Sequence, residues 1–384
     1  MKRLAFVLAA VLCALPAIAA EGKPRARDLG VPFDGEPGPL NAITDVAGVT
    51  VGHETIVKGR NIRTGVTAIL PRGAASAQAP AFAAIFALNG NGEMTGAHWV
   101  KESGFLEGPV MLTNTHSVGA VHEGAIRWRV ANGAADATGY WWSLPVVAET
   151  WDGYLNDING FHVTAKHASK ALSSAKAGPV AEGNVGGGTG MVCHQFKCGI
   201  GTSSRRVSID GADYTVGALV QANYGDRGEL RVAGAPVGRH ITANRAYEEA
   251  PADDEGSIIV VIATDAPLIP NELERLAKRA SLALGRMGSY AGNGSGDIFI
   301  AFSTAPLTKM EGRDVWNVSA LGLDSLNPLF LATVRATEEA IVNAMIAAED
   351  MSGADGHTAK AIDHEALRDV LRQYNRLAEP QADE

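Results

Sequence analysis

The sequence is sparing with cysteine and with charge, and after residue 20 it has no apolar run long enough and charge-free enough to span a bilayer. Each absence narrows the function. Of three cysteines, Cys13 lies in the N-terminal leader, which leaves Cys193 and Cys198 in Cys193-His194-Gln195-Phe196-Lys197-Cys198. A local disulfide, a pair of buried thiols and a metal-binding pair all remain open, although no second Cys/His pair stands at ligand spacing elsewhere. Charged residues make up 20% of the chain, with 33 Lys and Arg against 42 Asp and Glu. The resulting negative surface repels phosphate backbones and anionic membranes, which argues against nucleic acid or a membrane as partner. There is no Gly-x-Ser-x-Gly elbow and no His-Glu-x-x-His pair, so the ordinary Ser-His-Asp hydrolase and zincin readings lose ground. The Gly-rich run Gly183 to Met191 has neither nucleotide fingerprint and reads as a loop packed at close range.

What is present begins with a leader. Met1-Lys2-Arg3 is basic, Leu4 to Leu15 is apolar, and Ala17-Ile18-Ala19-Ala20 offers small residues for cleavage. Residues 1–20 read as a secretory signal peptide, and its loss takes the formal net charge from −9 to −11 as Lys2 and Arg3 go with it. The mature protein is therefore expected to be soluble and exported, in the periplasm or outside the cell. With 46% hydrophobic residues it can bury a large core. No long Pro/Ser linker divides the remainder, so residues 21–384 are expected to form one domain.

Periodicity then supplies the elements. Alternation suggests strands within Ile43 to Gly52, Val66 to Leu70, Ala81 to Leu88, Val110 to Thr115 and Tyr214 to Ala222. Helical spacing appears from Val118 to Ala131, Val163 to Ala175, Asn271 to Gly288, 329 to 351 and Glu365 to Leu377. Helices layered on sheets fit an α/β or α+β sandwich. Asn89 to Gly96 reads equally as a hairpin connection or a site loop. The aromatics of Trp141 to Tyr154 read as core, with Tyr154 a candidate for a pocket wall. Asn223, at the end of a strand, can donate to a developing oxyanion or cap the turn before Gly225.

The stretch that organises these pieces is Asp253-Asp254-Glu255-Gly256-Ser257, an acidic loop-like run leading into Ile258-Ile259-Val260-Val261-Ile262-Ala263-Thr264. Uninterrupted β-branched residues mark a strand covered on both faces. Gly256 lacks a Cβ and can take a strained conformation that brings the Ser257 hydroxyl to its carbonyl. If that bond opens, Ser257 carries a nucleophile and a free α-amine with a reference pKa of about 8, suited to act as its own base. The other reading is a loop running into an ordinary core strand. A second turn, Gly294-Ser295-Gly296-Asp297, follows the next helix. If the two strands pair, Asp297 can orient the Ser295 hydroxyl or the new amine.

These motifs, together with Gly186-Gly187-Gly188-Thr189-Gly190-Met191, Gly199 to Arg205 and Gln221-Ala222-Asn223-Tyr224-Gly225, resemble the L-aminopeptidase D-esterase / β-peptidyl aminopeptidase family. The resemblance covers about Asp28 to Ala348. It implies an α-β-β-α sandwich similar to N-terminal-nucleophile hydrolases but with different strand connectivity. It also implies an inactive precursor that cleaves itself between Gly256 and Ser257, giving subunits 21–256 and 257–384, and a homo-oligomer of cleaved pairs. Carried onto this sequence, Ser257 is the nucleophile. Its amine, or Ser295 held by Asp297, moves the proton, Asn223 supplies the oxyanion donor, and Tyr154 lines the site. Some relatives have Glu where Asp297 stands, which shortens the reach here. The implied reaction releases an N-terminal residue from a short peptide, amide or ester without metal or organic cofactor, and Asp152 or Glu149 would hold the substrate amine. An acyltransferase of the ornithine acetyltransferase type and a non-catalytic periplasmic binding protein are the alternatives.

Overall fold

The computed structural model describes residues 23–133, 135, 139, 142–247, 256–311 and 313–378. Residues 1–20, expected to be a signal peptide, together with Trp141 and the acidic run Asp253 to Glu255, lie outside the described residues. Among them, the strands and helices that frame the molecule are β1 (Thr50–Lys58), β2 (Ile62–Ala74), β3 (Ala81–Ala87), β4 (Phe105–Leu106), β5 (Val110–Asn114), α1 (Val118–Asn132), β6 (Val146–Thr150), α2 (Ala165–Ser173), β7 (Ile200–Ile209), β8 (Ala212–Asn223), β9 (Gly256–Thr264), α3 (Pro270–Met287), β10 (Ser295–Ser303), α4 (Asn327–Ile346) and α5 (His364–Gln373).

Two sheets stack. One runs β1-β2-β5-β6 and the other β4-β3-β10-β9-β8-β7. Helices α1 and α2 cover the outer face of the first, and α3 and α4 that of the second, which completes four layers, α-β-β-α. The apolar run of β9 is explained by this burial. Ile258, Val260 and Ile262 face the helices α3 and α4 beside Leu276, Ala280 and Ile341. Ile259, Val261 and Ala263 face the other sheet beside Ile69, Leu112 and Ala148. Both faces of the strand are dry, so alternation is erased from its sequence, and each Ile so buried contributes about 1.5–3 kcal/mol.

Strands β9 and β10 are parallel and joined through α3, whereas β8 pairs antiparallel on the other side of β9. Helix α3 starts at Pro270, where a missing N–H costs nothing, and stops at Gly288, whose φ is +99°. Residues on both sides of the Gly256–Ser257 bond thus interleave in one sheet.

The elements expected from periodicity appear with shifted ends. Of Ile43 to Gly52 only Thr50 onward joins a strand, because Ile43–Asp45 forms a single 3-10 turn. The Asp45 carboxylate there accepts from the backbone N–H of Leu40 and Ala42. The buried parallel strand β6 lies inside the stretch read as an aromatic cluster. That reading of the cluster as core is corrected too: Trp142 and Trp151 are exposed.

Candidate active site

Strand pairing brings three chain segments to one edge of the larger sheet. Asn223, the last residue of β8, lies directly opposite Ser257. On the other side Gly256 pairs with Ser295, and Ser257 with Gly296, at the start of β10. Ser257 is almost fully buried, and its Oγ donates to the carbonyl oxygen of Gly256 at 2.7 Å. Gly256 has φ +133°, and a Cβ built on it would stand 2.1 Å from the Asn223 carbonyl oxygen. Only glycine fits this close approach, and the positive φ is one that other residues rarely adopt.

Ser295 Oγ donates to Asp297 Oδ1 at 2.7 Å, and both residues are buried behind the strand start. That bond fixes the hydroxyl hydrogen and leaves the Ser295 oxygen able to accept from a neighbour. The Asn89 to Gly92 loop seals this corner. Leu88 and Asn89 donate N–H to the Asp297 carbonyl, and Asp297 N–H donates back to Asn89. Asn223 Oδ1 accepts from the backbone N–H of Val192 at 2.9 Å. Because an N–H can only donate, this contact fixes which amide atom is oxygen and turns the Nδ2 hydrogens away from Val192. Asn223 therefore does not cap the Gly225 turn through its side-chain oxygen.

A cavity of about 590 Å³ opens over Ser257, lined among others by Asn223, Gly256, Glu149, Trp151, Tyr247 and Gln195. This volume suits a short peptide or a compact amide. Glu149 comes to it from the end of β6, and its carboxylate accepts from the Glu93 N–H at 3.0 Å and from the Thr115 hydroxyl. Burial raises its pKa, the hydrogen bonds from Thr115 and Glu93 oppose the rise, and the nearby Glu93 charge adds to it.

The profile of Peptidase family S58 matches residues 41–359. The chain belongs to peptidase family S58. It is 51% identical to a β-peptidyl aminopeptidase of Sphingosinicella microcystinivorans over 94% of this chain and 95% of that protein. Its structure matches the L-aminopeptidase D-Ala-esterase/amidase of Ochrobactrum anthropi with a TM-score of 0.88 at 51% identity, covering 93% of this chain and all of the other. That relative is described as a prototype serine aminopeptidase and a variant of the Ntn hydrolase fold. A β-aminopeptidase of a Burkholderia species matches with a TM-score of 0.83 at 46% identity, over 93% of this chain and all of the other. The acyltransferase and binding-protein alternatives find no support among these S58 relatives.

Two of the residues expected at the site are placed elsewhere. Asp152 is buried outside the cavity, its carboxylate held at 3.0 Å by the side-chain amides of both Asn114 and Asn156. A carboxylate occupied in this way braces β5 and the loop after β6 and is not offered to a substrate amine. Tyr154 lines an adjacent depression, with its ring between those of His357 (4.4 Å) and Tyr247 (4.3 Å). It is Tyr247 and Trp151 that reach the cavity over Ser257.

Sequence reasoning missed those two aromatics, along with Gln195, Thr115 and Val192. The Trp151 signal was its place two residues after Glu149; Tyr247 offered none. Cys193 and Cys198 are joined in a disulfide that closes the small hairpin carrying Gln195.

Proposed function

We propose that this chain is a self-processing serine aminopeptidase in which Ser257 serves twice, first against its own backbone and then against substrate. The observation that carries the reading is the Ser257 hydroxyl resting on the carbonyl of Gly256, the positive-φ residue that opens β9. The path C–N–Cα–Cβ–Oγ closes a five-membered ring, so Oγ can attack the Gly256 carbonyl carbon. The peptide C–N bond breaks, the nitrogen takes the hydroxyl proton, and an ester joins Gly256 to Ser257 Oγ. Water then hydrolyses that ester, leaving a Gly256 carboxylate and an N-terminal Ser257.

In turnover the Ser257 amine, or Ser295 oriented by Asp297, takes the Oγ proton as Oγ attacks the scissile carbonyl. The Asn223 Nδ2 hydrogens meet the oxyanion, and the leaving amine departs with a proton. Water resolves the acyl-Ser257. Glu149, the acidic side chain that reaches the cavity from β6, pairs with the substrate ammonium and so selects for a free amino end. The names of the relatives support N-terminal residues of short peptides or amides as the substrate class, with β-amino acids as the finer proposal.

The deciding experiment is the denatured intact mass of the purified protein beside Ser257→Ala. Two fragments meeting between Gly256 and Ser257, against one uncut chain in the variant, are the expected result. A single uncut chain in both removes the reading. The basic start and apolar run of residues 1–20 support export to the periplasm or beyond, tested by N-terminal sequencing of the mature protein. Assembly into a homo-oligomer of cleaved pairs is the corresponding proposal for quaternary structure, tested by light scattering.

A further inference from the structure

Lys197 is fully buried and has no carboxylate partner among the described residues, an expensive arrangement for an ammonium group. Its Nζ donates to the backbone carbonyls of Cys198 at 2.6 Å and Met191 at 2.8 Å, with that of Gly188 at 3.5 Å. The Met191 carbonyl and the Val192 N–H belong to one peptide group. That N–H is the donor that holds Asn223 Oδ1 at 2.9 Å. Asn223 in turn faces Ser257 across the β8–β9 pair, and its Nδ2 has no acceptor among the described residues.

The atoms therefore form one line: Lys197 Nζ to Met191 C=O, through the peptide to Val192 N–H, to Asn223 Oδ1, and out through Asn223 Nδ2 to the cavity. We propose that Lys197 is a positioning residue for the reaction, a buried cation that polarises the Met191–Val192 peptide and thereby strengthens and aims the Asn223 amide as oxyanion donor. The physics is that of hydrogen bonds in series, where charge at one end sharpens each later donor and low dielectric preserves the effect. The placement agrees. Lys197 pairs with Val192 in the hairpin that the Cys193–Cys198 disulfide closes. Its own N–H is tied to the Lys360 carbonyl at 2.7 Å and the His194 N–H to the Tyr224 carbonyl at 2.7 Å, so the hairpin is docked on the end of β8. Burial, and after it the charge of Lys23, push the lysine pKa down, whereas the carbonyl oxygens that Nζ donates to are the contacts that an ammonium there satisfies. A lysine needed only to fill this space could be methionine; the carbonyl contacts are what an apolar side chain would forfeit.

This inference rests on the aminopeptidase reading, and its test separates the two. Lys197→Met keeps length and apolar bulk but removes the charge and donors. On a short aminoacyl amide, the processed variant is expected to lose about 10-fold in kcat with KM unchanged, because the lost interaction exists only in the transition state. In an Asn223→Ala background the same substitution is expected to cost nothing further, since the line then ends before the cavity. Lys197→Gln, which keeps an N–H donor without the charge, should fall between. An unchanged kcat in Lys197→Met, or the same fold loss with Asn223 already removed, overturns the proposal. So does failure of both Lys197 variants to yield folded protein, which would make the lysine a folding residue. If the wild-type protein itself turns over no aminoacyl amide, it is the aminopeptidase reading that fails.

Discussion

Asn223 and Ser257 stand directly opposite each other across an antiparallel pair of strands, one the last residue of β8 and the other the second of β9. The pairing register, and not the sequence interval between them, sets the two side chains proposed as oxyanion donor and nucleophile side by side. Removing the donor should therefore affect chemistry more than binding. Asn223→Ala is expected to lower kcat by about 10²–10³ with little change in KM, read from steady-state kinetics on an aminoacyl amide. A rise in KM at constant kcat would assign Asn223 to substrate binding instead.

Gly256 should tolerate no side chain. With φ +133° and the Asn223 carbonyl oxygen 2.1 Å from where a Cβ would stand, Gly256→Ala forces β8 and β9 apart at the reacting bond. The expected result is an uncut chain destabilised by about 2 kcal/mol or more, measured by intact mass and urea unfolding against Ser257→Ala. Normal self-cleavage in Gly256→Ala would show that the positive-φ backbone at residue 256 is not needed.

The Ser295–Asp297 bond offers a test of the proton path. Asp297→Ala leaves the Ser295 hydroxyl without its acceptor at 2.7 Å, free to point elsewhere. Turnover is expected to fall by about 10²-fold, in the range for a displaced general acid or base. Ser295→Ala should cause a similar loss, and the double variant should add little to either. Fully multiplicative losses would mean that the two residues act separately.

Activity should carry an acid limb set by Glu149. Burial raises its pKa, so the carboxyl stays neutral to a higher pH than an ordinary glutamate and cannot hold a substrate ammonium there. As pH falls through that raised value, kcat/KM for the free enzyme falls. Glu149→Gln should abolish the limb and raise KM by about 100-fold, the scale of a charge-assisted hydrogen bond. A limb that survives the substitution would belong to another group.

Asp152 gives a prediction about stability. Burial lifts its pKa from 3.8 to about 6, against hydrogen bonding from Thr64, Asn114 and Asn156. The folded state then holds the proton more tightly than the unfolded one. Its contribution is most favourable below pH 4 and is lost as pH rises through about 6, by about 3 kcal/mol in all. In the uncut Ser257→Ala background, Asp152→Asn should remove that decline between pH 4 and 7 in urea unfolding. Parallel pH profiles with and without the substitution would contradict it.

The strand of Ile258 to Thr264 was legible because two dry faces demand an unbroken apolar run, and the helices because one dry face repeats every 3.6 residues. Gly256-Ser257 and Gly294-Ser295-Gly296-Asp297 stood out in the sequence as turns because small residues before a strand permit close approach, but the pairing of β9 with β10 begins at Gly256 and Ser295, so all of these residues except Gly294 lie within the strands. The layered fold and the family could thus be read from the chain itself. What no local pattern encodes is register and reach. Glu149 and Asp152 are both carboxylates beside the same Trp. One enters the cavity from the penultimate position of β6, next to its end at Thr150, and the other is turned inward to Asn114 and Asn156. Tyr154 was the conspicuous aromatic, yet it is Tyr247, far along the chain and packed against it, that lines the cavity over Ser257. Lys197 is buried because its hairpin folds onto the end of β8. Sequence determined which segments would be strands and helices, because those depend on neighbours along the chain. Which side chains share one cavity was decided only in three dimensions, because that depends on the alignment of strands distant in sequence.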